Sequence, residues 1–314
     1  MRKKGRLFVQ FLVLLILIFF VSIIINNLLI NLSRIGLGFN FNWLLKPASF
    51  SLAEYSLSYN PSNSYAWALF IGWINSLKVI FTSLLLSTIV GIIIAFFRTS
   101  KNFFIEIISS GYITLIRQTP LLLQLMFWYF VGFLGLKSDS LFPSQNLFNI
   151  SNQGISIGSV SISSEFAALL FGLSIFTSAY IAEVIRGGIF AVSQGQWEAF
   201  RSLGISERKG ILRIIIPQAL PAIIPGLTSQ YLNLAKNSTL AIAVGYSDIY
   251  AINDTVINQT GRAIECFLIL LISFLILNLL ISNTMEIINK LVIRRFRIKK
   301  LKSNIMKHSI ALPV

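Results

Sequence analysis

The sequence predicts an all-α fold, a polytopic membrane helix bundle of about six transmembrane helices with a cytoplasmic helical loop. Three observations predict it. Only 12% of the 314 residues are charged and 55% are hydrophobic, with a mean hydropathy of +0.77, whereas a soluble domain carries about 25% charged residues. Several stretches reach the ~20 apolar residues that cross a bilayer, inside which backbone polar groups must pair within helices. The third observation is charge asymmetry. Of 26 Lys and Arg, 20 fall on one side of the proposed spans, only Arg34, Lys46, Lys137 and Arg262 fall on the other, and Lys78 and Lys236 lie inside spans. Positive charge accumulates on the cytoplasmic side, so both termini are expected there.

The first span, 7–30, follows Arg2, Lys3, Lys4 and Arg6 as a signal peptide would. Its apolar run is too long for one, however, and Asn26-Asn27 offers no small-residue cleavage site, so it reads as a retained anchor. With the Ser- and Asn-rich outer segment after it, this anchor makes up an N-terminal region 1–66. Spans at 67–97, 119–136, 165–191, 217–244 and 262–290 form the main transmembrane domain, 67–290, and a basic tail occupies 291–314. That tail has the charge to touch anionic lipid and lacks the aromatic interleaving of a nucleic-acid reader. "KNFFIEIISSGYITLIRQTP" mixes charge with apolar residues and reads as an interfacial or partly inserted helix. Pro120, in a first-turn position, accounts for the break before the third span. The outer stretch 137–164 reads as loop with short extended pieces. Cys266 and His308 each stand alone, which excludes an internal disulfide and a Cys/His metal cluster within one chain.

Between the fourth and fifth spans lies "QWEAFRSLGISERKGILRIIIPQALP". Trp197, Phe200 and Leu203 recur every three residues, giving a short helix an apolar stripe, with Glu198, Arg201 and Ser202 facing away. Gly204 suits the left-handed position that ends a helix and lets Ile205 fold back on Phe200. Ser206 is placed to cap a second helix to Ile216, which Pro217 and Pro221 end or kink. Two short helices at an angle are expected, either a protein-docking element or a solvated loop; an apolar stripe at helical spacing wants a surface to bury it.

At these residues the chain resembles the permeases of bacterial ABC importers. Their EAA loop reads Glu-Ala-Ala, three residues, Gly, nine residues, Ile, one residue, Leu-Pro; Glu198, Ala199, Gly204, Ile214 and Pro217 match, while Phe200 replaces Ala and Ile216 replaces Leu. "IRQTPLLLQLMFWYF", "YIAEVIRGGIFAVSQGQWEA" and "LTSQYLNLAKNSTLAIAVGY" resemble the polar amino-acid uptake permeases, and "NDTVINQTGRAIE" their general L-amino-acid branch. The resemblance implies a transport subunit of the bacterial inner membrane, docked through the loop onto two ATP-binding cassette subunits. It also implies a second permease, either a copy or a different chain, and a periplasmic amino-acid-binding protein. The chain has no G-x-x-x-x-G-K-[ST], so ATP and its magnesium are expected on the partner ATPase and no cofactor on this chain.

Ionisable residues in a bilayer cost roughly 2.5–3.5 kcal/mol at a helix centre and demand a reason. Asn75 and Lys78 lie one turn apart on the second span; Lys236 and Asn237 lie on the fifth. Counted from their outer ends, Asn75 and Lys236 sit at a matching depth of roughly 12 Å. Gln230, Asn233 and Asn237 follow helical spacing, so these six residues are the candidate path for a zwitterionic substrate, with ammonium and amide donors for its carboxylate. Buried Asn and Gln also hold helices together, and both readings stay open for them. Glu183 and Arg186, three residues apart, form either a structural ion pair or a gate. Asp248, Asp254, Arg262 and Glu265 are expected at the outer mouth, solvated or meeting a binding protein. A stand-alone ion-coupled carrier would leave the amphipathic loop unexplained, and the spans hold few carboxylates for coupling. An intramembrane enzyme would need a perturbed acid, base or metal cluster that the spans do not offer.

Overall fold

The computed structural model describes residues 2–34, 39–100, 102–136, 148–158 and 160–310; Lys101, Lys137 and the outer stretch 138–147 after it lie outside the described residues. The chain opens with α1 (Arg2–Arg34), whose apolar stretch Phe8–Asn31 has none of its most apolar window buried against the rest of the chain. It has the character of a lipid-facing anchor. The outer segment then turns through a short 3-10 helix, Asn42–Leu45, which buries Trp43 edge-on against Tyr65 at 5.7 Å between ring centres. Ser64 accepts from the Trp67 backbone N–H and starts α2 (Tyr65–Arg98).

The next crossing corrects the expected helix boundaries. α3 (Phe103–Gln118) ends at Thr119, and α4 (Leu121–Met126) follows Pro120 and widens into a π-helical stretch, Phe127–Leu134. Leu121–Leu134 is 14 residues, about 21 Å long, and falls short of the ~30 Å hydrocarbon core. α3 supplies the remainder. The Tyr112 hydroxyl donates to Ile175 O at 3.0 Å, Leu121 and Leu125 pack with Leu169 and Leu173, and Phe133 packs with Ala167 and Ala168. Thus α3 and α4 run antiparallel down one helix, α5 (Ser164–Phe190), and share a single crossing. Pro120 cannot donate to Ile116 O; the Gln124 side-chain amide does so instead, at 2.9 Å, and also reaches Thr119 Oγ1 at 2.7 Å.

The extended pieces expected outside are an antiparallel meander of β1 (Phe148–Ser151), β2 (Gly154–Ile157) and β3 (Val160–Ser163). Ser163 then caps α5 by accepting from Phe166 N at 3.1 Å. α5 is the axis of the bundle, carrying the largest buried share of the long apolar helices. Small residues make this possible: a Cβ at Gly91 of α2 or Gly188 of α5 would overlap Ile181 or Ile223, so backbones approach there as only glycine permits.

Past α5 come α6 (Gln194–Ser202), α7 (Glu207–Gly210), a π-helical stretch Ile211–Ile215 and α8 (Ile216–Asn237). The expected second short helix is not separate: one apolar helix runs from Glu207 to Val244. Pro217 sits in the first turn of α8, and Pro221 and Pro225 lie inside it without ending it. The wide turns before Pro217 absorb the missing N–H. A 3-10 stretch, Ser238–Val244, ends at left-handed Gly245 (φ 78°), after which Asp248 caps α9 (Ile249–Thr260), between the expected fifth and sixth spans. α10 (Ala263–Ile310) completes the chain and runs unbroken through the expected boundary at 291. Five described helices are long and apolar enough to cross a membrane, and Leu121–Leu134 is a shorter apolar helix, placed end to end with α3 against α5.

Candidate functional site

The first candidate face is α6. Gly204 has φ 69°; its N–H donates to Arg201 O at 2.9 Å, and Ile205 N–H donates to Phe200 O at 3.1 Å, the paired bonds that close a helix through a left-handed residue. Ser206 stands at the cap position, but its side chain makes no capping bond. The apolar stripe divides. Phe200 is 1% exposed, in a cluster with Ile185, Ile215 and Ala219, and Trp197 packs against that cluster. Leu203 is 76% exposed. The stripe therefore finds its burying surface mainly within this chain, and the outward face of α6 presents Glu198, Ala199, Leu203 and Gly204, with Ile214 and Pro217 half-buried behind. Phe200, which departs from the usual Ala, faces inward.

Charges fasten the element rather than crown it. Arg201 Nε bonds Glu207 Oε1 at 2.9 Å across the Gly204 turn, and its guanidinium lies 5.6 Å from the rings of both Trp197 and Phe200. Gln194 donates to Glu198 Oε1 at 2.9 Å. Close by, Arg186 grips Glu183 through two bonds, Nε–Oε1 at 3.0 Å and Nη2–Oε2 at 2.9 Å. That geometry is an ion pair held within one helix.

The second candidate face is a cavity of about 300 Å³ between the middle of α5 and the outer half of α8. Gln230, Asn233, Lys236 and Asn237 from α8 face Thr177 and Tyr180 of α5 across it. Among the described residues no carboxylate pairs with Lys236. Arg117, at the end of α3, lays its guanidinium 5.0 Å from the centre of the Tyr180 ring. Sequence spacing grouped the four α8 residues; the α5 wall had no sequence signal beyond the general run of small polar residues in that helix.

The other two path candidates lie elsewhere. Asn75 is fully buried, and its amide is used up: Nδ2 donates to Ser247 O at 2.8 Å and Glu54 O at 3.0 Å, while Oδ1 accepts from Ser56 at 2.9 Å. It bolts the outer segment to α2 and to the turn before α9, with no surface for a ligand. Lys78 pairs with Glu54 at 2.9 Å. The matching depth of Asn75 and Lys236 does not bring them to one cavity. The outer-mouth group also divides: Asp254 is exposed, whereas Asp248 and Glu265 are 1% and 3% exposed, Glu265 pairing with Arg262 at 2.9 Å.

A helix bundle with an outward-presented loop helix and a polar cavity between two spans is the build of a membrane transport subunit. The chain belongs to the family described as "Binding-protein-dependent transport system inner membrane component", which it matches over residues 87–294. It is similar to the general L-amino acid transport system permease protein AapQ of Rhizobium johnstonii (29% identity, 91% of this chain and 92% of that one). It is equally similar to the putative amino-acid ABC transporter permease protein YhdX of Escherichia coli (30%, 90% and 92%). A shorter stretch, 40% of this chain and 30% of the other, is 47% identical to the glutamate/glutamine/aspartate/asparagine transport system permease BztB of Rhodobacter capsulatus. Among solved structures, an amino acid ABC transporter crystallised with histidines superposes with a TM-score of 0.57 at 29% identity, over 72% of this chain and 94% of that one. The chain is thus a multi-pass permease subunit of an ABC importer and not an ion-coupled carrier. Its family works with ATPase and binding-protein partners.

Proposed function

We propose that this chain moves L-amino acids inward across the cytoplasmic membrane, passing them through the α5–α8 cavity, with Lys236 holding the substrate carboxylate. The observation that carries this reading is the lysine itself: an ammonium without a carboxylate partner among the described residues, on a cavity wall of amides, a hydroxyl, aromatic rings and Leu234. An anion arriving there gains a charge-assisted bond, and the amides of Gln230, Asn233 and Asn237 supply further donors. The amino-acid names of the relatives support the substrate class. Glu198, Ala199, Leu203 and Gly204 form the surface that meets the ATPase. Hydrolysis of Mg-ATP takes place there, on two cassette subunits, while a second permease completes the pathway and a periplasmic protein delivers the substrate. Both termini lie in the cytoplasm, a reading that the charge asymmetry supports.

The test is Lys236→Met, which keeps most of the stem and removes the ammonium. A charge-assisted bond is worth about 1.5–3 kcal/mol, so uptake falls about ten- to a hundredfold while membrane level and ATPase association stay at wild type. A variant that assembles and transports normally removes Lys236 from the path; one that fails to assemble makes it structural.

A further inference from the structure

At the outer end of the bundle lies a second polar cavity, of about 480 Å³, lined by residues of the meander and by Glu54, Tyr55 and Lys78. Strand alternation builds its wall. Ile150, Ile155 and Ile162 pack toward Phe133, Ala167 and Phe171 of the bundle. The opposite face therefore carries the intervening residues: Asn149, Ser156 and Ser161 stand across from one another in register, and Ser151, Gly154 and Ser163 form the next row. All six line the cavity. A wall mostly of small hydroxyl and amide side chains, with the edges of Ile155 and Ile162 between them, faces one ion pair.

That pair is open to the cavity. Lys78 Nζ meets Glu54 Oε1 at 2.9 Å, with the lysine side chain 38% exposed and the glutamate 19%. Ser163 donates to the other Glu54 oxygen, and the Lys78 ammonium rests 4.5 Å from the centre of the Phe166 ring. A purely structural pair this far along a pore helix would be expected to sit in a closed seam. Asn149 Oδ1, on the facing wall, is buried with no hydrogen-bond partner, an acceptor in want of a donor. The volume is that of a small-molecule site.

We propose that this outer cavity binds a zwitterionic α-amino acid as a first site ahead of the α5–α8 cavity, a proposal that rests on the amino-acid importer reading above. The substrate carboxylate takes the place of Glu54 on Lys78, and the substrate ammonium takes the place of Lys78 on Glu54. One pair becomes two, so no charge is left uncompensated in the low-dielectric surroundings. The serine hydroxyls and Asn149 Oδ1 meet the remaining donors and acceptors.

The experiment is thiol protection in the assembled importer, reconstituted in liposomes with its sister permease and ATPase subunits. Ser161→Cys places a thiol on the exposed part of the cavity wall, and native Cys266, fully buried, stays silent. Labelling from outside with a membrane-impermeant methanethiosulfonate is followed with and without an equimolar millimolar mixture of the common L-amino acids. The mixture is expected to slow labelling about fivefold, as occupancy at several times Kd requires. The corresponding amino-acid amides, which lack the carboxylate, and the deaminated acids, which lack the ammonium, are expected to give no protection. Lys78→Met abolishes the effect and Lys78→Arg keeps it. Unprotected labelling in an importer that transports amino acids overturns the outer site and leaves the transport reading standing. Protection by the amides, by the deaminated acids or in Lys78→Met overturns it equally. If the reconstituted wild type, supplied with ATP inside and its amino-acid-binding protein outside, imports no amino acid at all, the underlying reading falls instead.

Discussion

The Phe200 ring covers Gly210 so closely that a Cβ at Gly210 would overlap it. This contact seats the exposed helix α6 on the root of the pore helix. It also explains how a large ring is accommodated where the family's EAA pattern has Ala: the space comes from the glycine ten residues on.

Gly210→Ala is therefore expected to displace α6 despite the better helix propensity of Ala, at a cost of about 1–3 kcal/mol for overpacking. ATP-dependent uptake should fall, and adding Phe200→Ala to Gly210→Ala should recover part of it. A double variant no better than the worse single one would show that the two residues are not coupled.

At Gly204 the demand is on the backbone alone, since a Cβ there meets nothing within 4 Å. Gly204→Val should misdirect the turn and reduce co-purification of the ATPase, whereas Gly204→Asn, which tolerates the left-handed region, should stay near wild type. Equal loss in both would point to a contact with the partner rather than to strain.

Asn75 was legible in the sequence as a polar residue within a span, with a path role and a helix-holding role both open, but its partners were not. Its partners, Glu54, Ser56 and Ser247, come from segments up to 172 residues away. Asn75→Leu should lower the thermal stability of the purified permease, leaving two carbonyls without donors at roughly 1–3 kcal/mol each. Substrate KM should not change in the fraction that folds; a KM effect with unchanged stability would return Asn75 to the path.

Asp248 lies in the turn ahead of α9, outside the spans. One carboxylate oxygen accepts from Ala251 N at 2.8 Å, the other is buried without a partner, and burial pushes its pKa up to about 7. Because the folded value is raised above the ordinary 3.8, the contribution to stability is full below pH 3.8 and is lost as pH rises to about 7. The slope in that window is up to ~1.4 kcal/mol per pH unit. Asp248→Asn, which keeps the cap, should flatten the melting-temperature profile across it and be the more stable form at pH 8.

Reporter fusions at Asn40, Ser151 and Asn304 test the topology that the charge asymmetry implies. They should read outside, outside and inside. Another order would mean a miscounted crossing.

Most of the bundle could be read from apolar length and the break residues between helices. The α6 turn could be read because Gly204 and the stripe before it are local signals. What escaped depended on distant partners. α3 could be read only as interfacial or partly inserted because its charges are visible in the sequence and its groove along α5 is not. No element could be read at α9 because its polar residues hide a short buried face of Ile249, Ile252 and Val256. Asn75 and Lys236 looked like one site because depth is a single coordinate, and two side chains at one depth still need a shared direction.

Pro217, Pro221 and Pro225 recur every four residues along α8. At about 100° per residue they drift by only ~80° in all, so they occupy one side of the helix. Pro221 and Pro225 each remove a rung from the hydrogen-bond ladder on that side, beside the wide turns at Ile211–Ile215. The helix is therefore compliant in one plane and stiff across it. A push delivered at α6 meets a rod with a built-in bending direction, and the end that swings is the one carrying Gln230, Asn233 and Lys236.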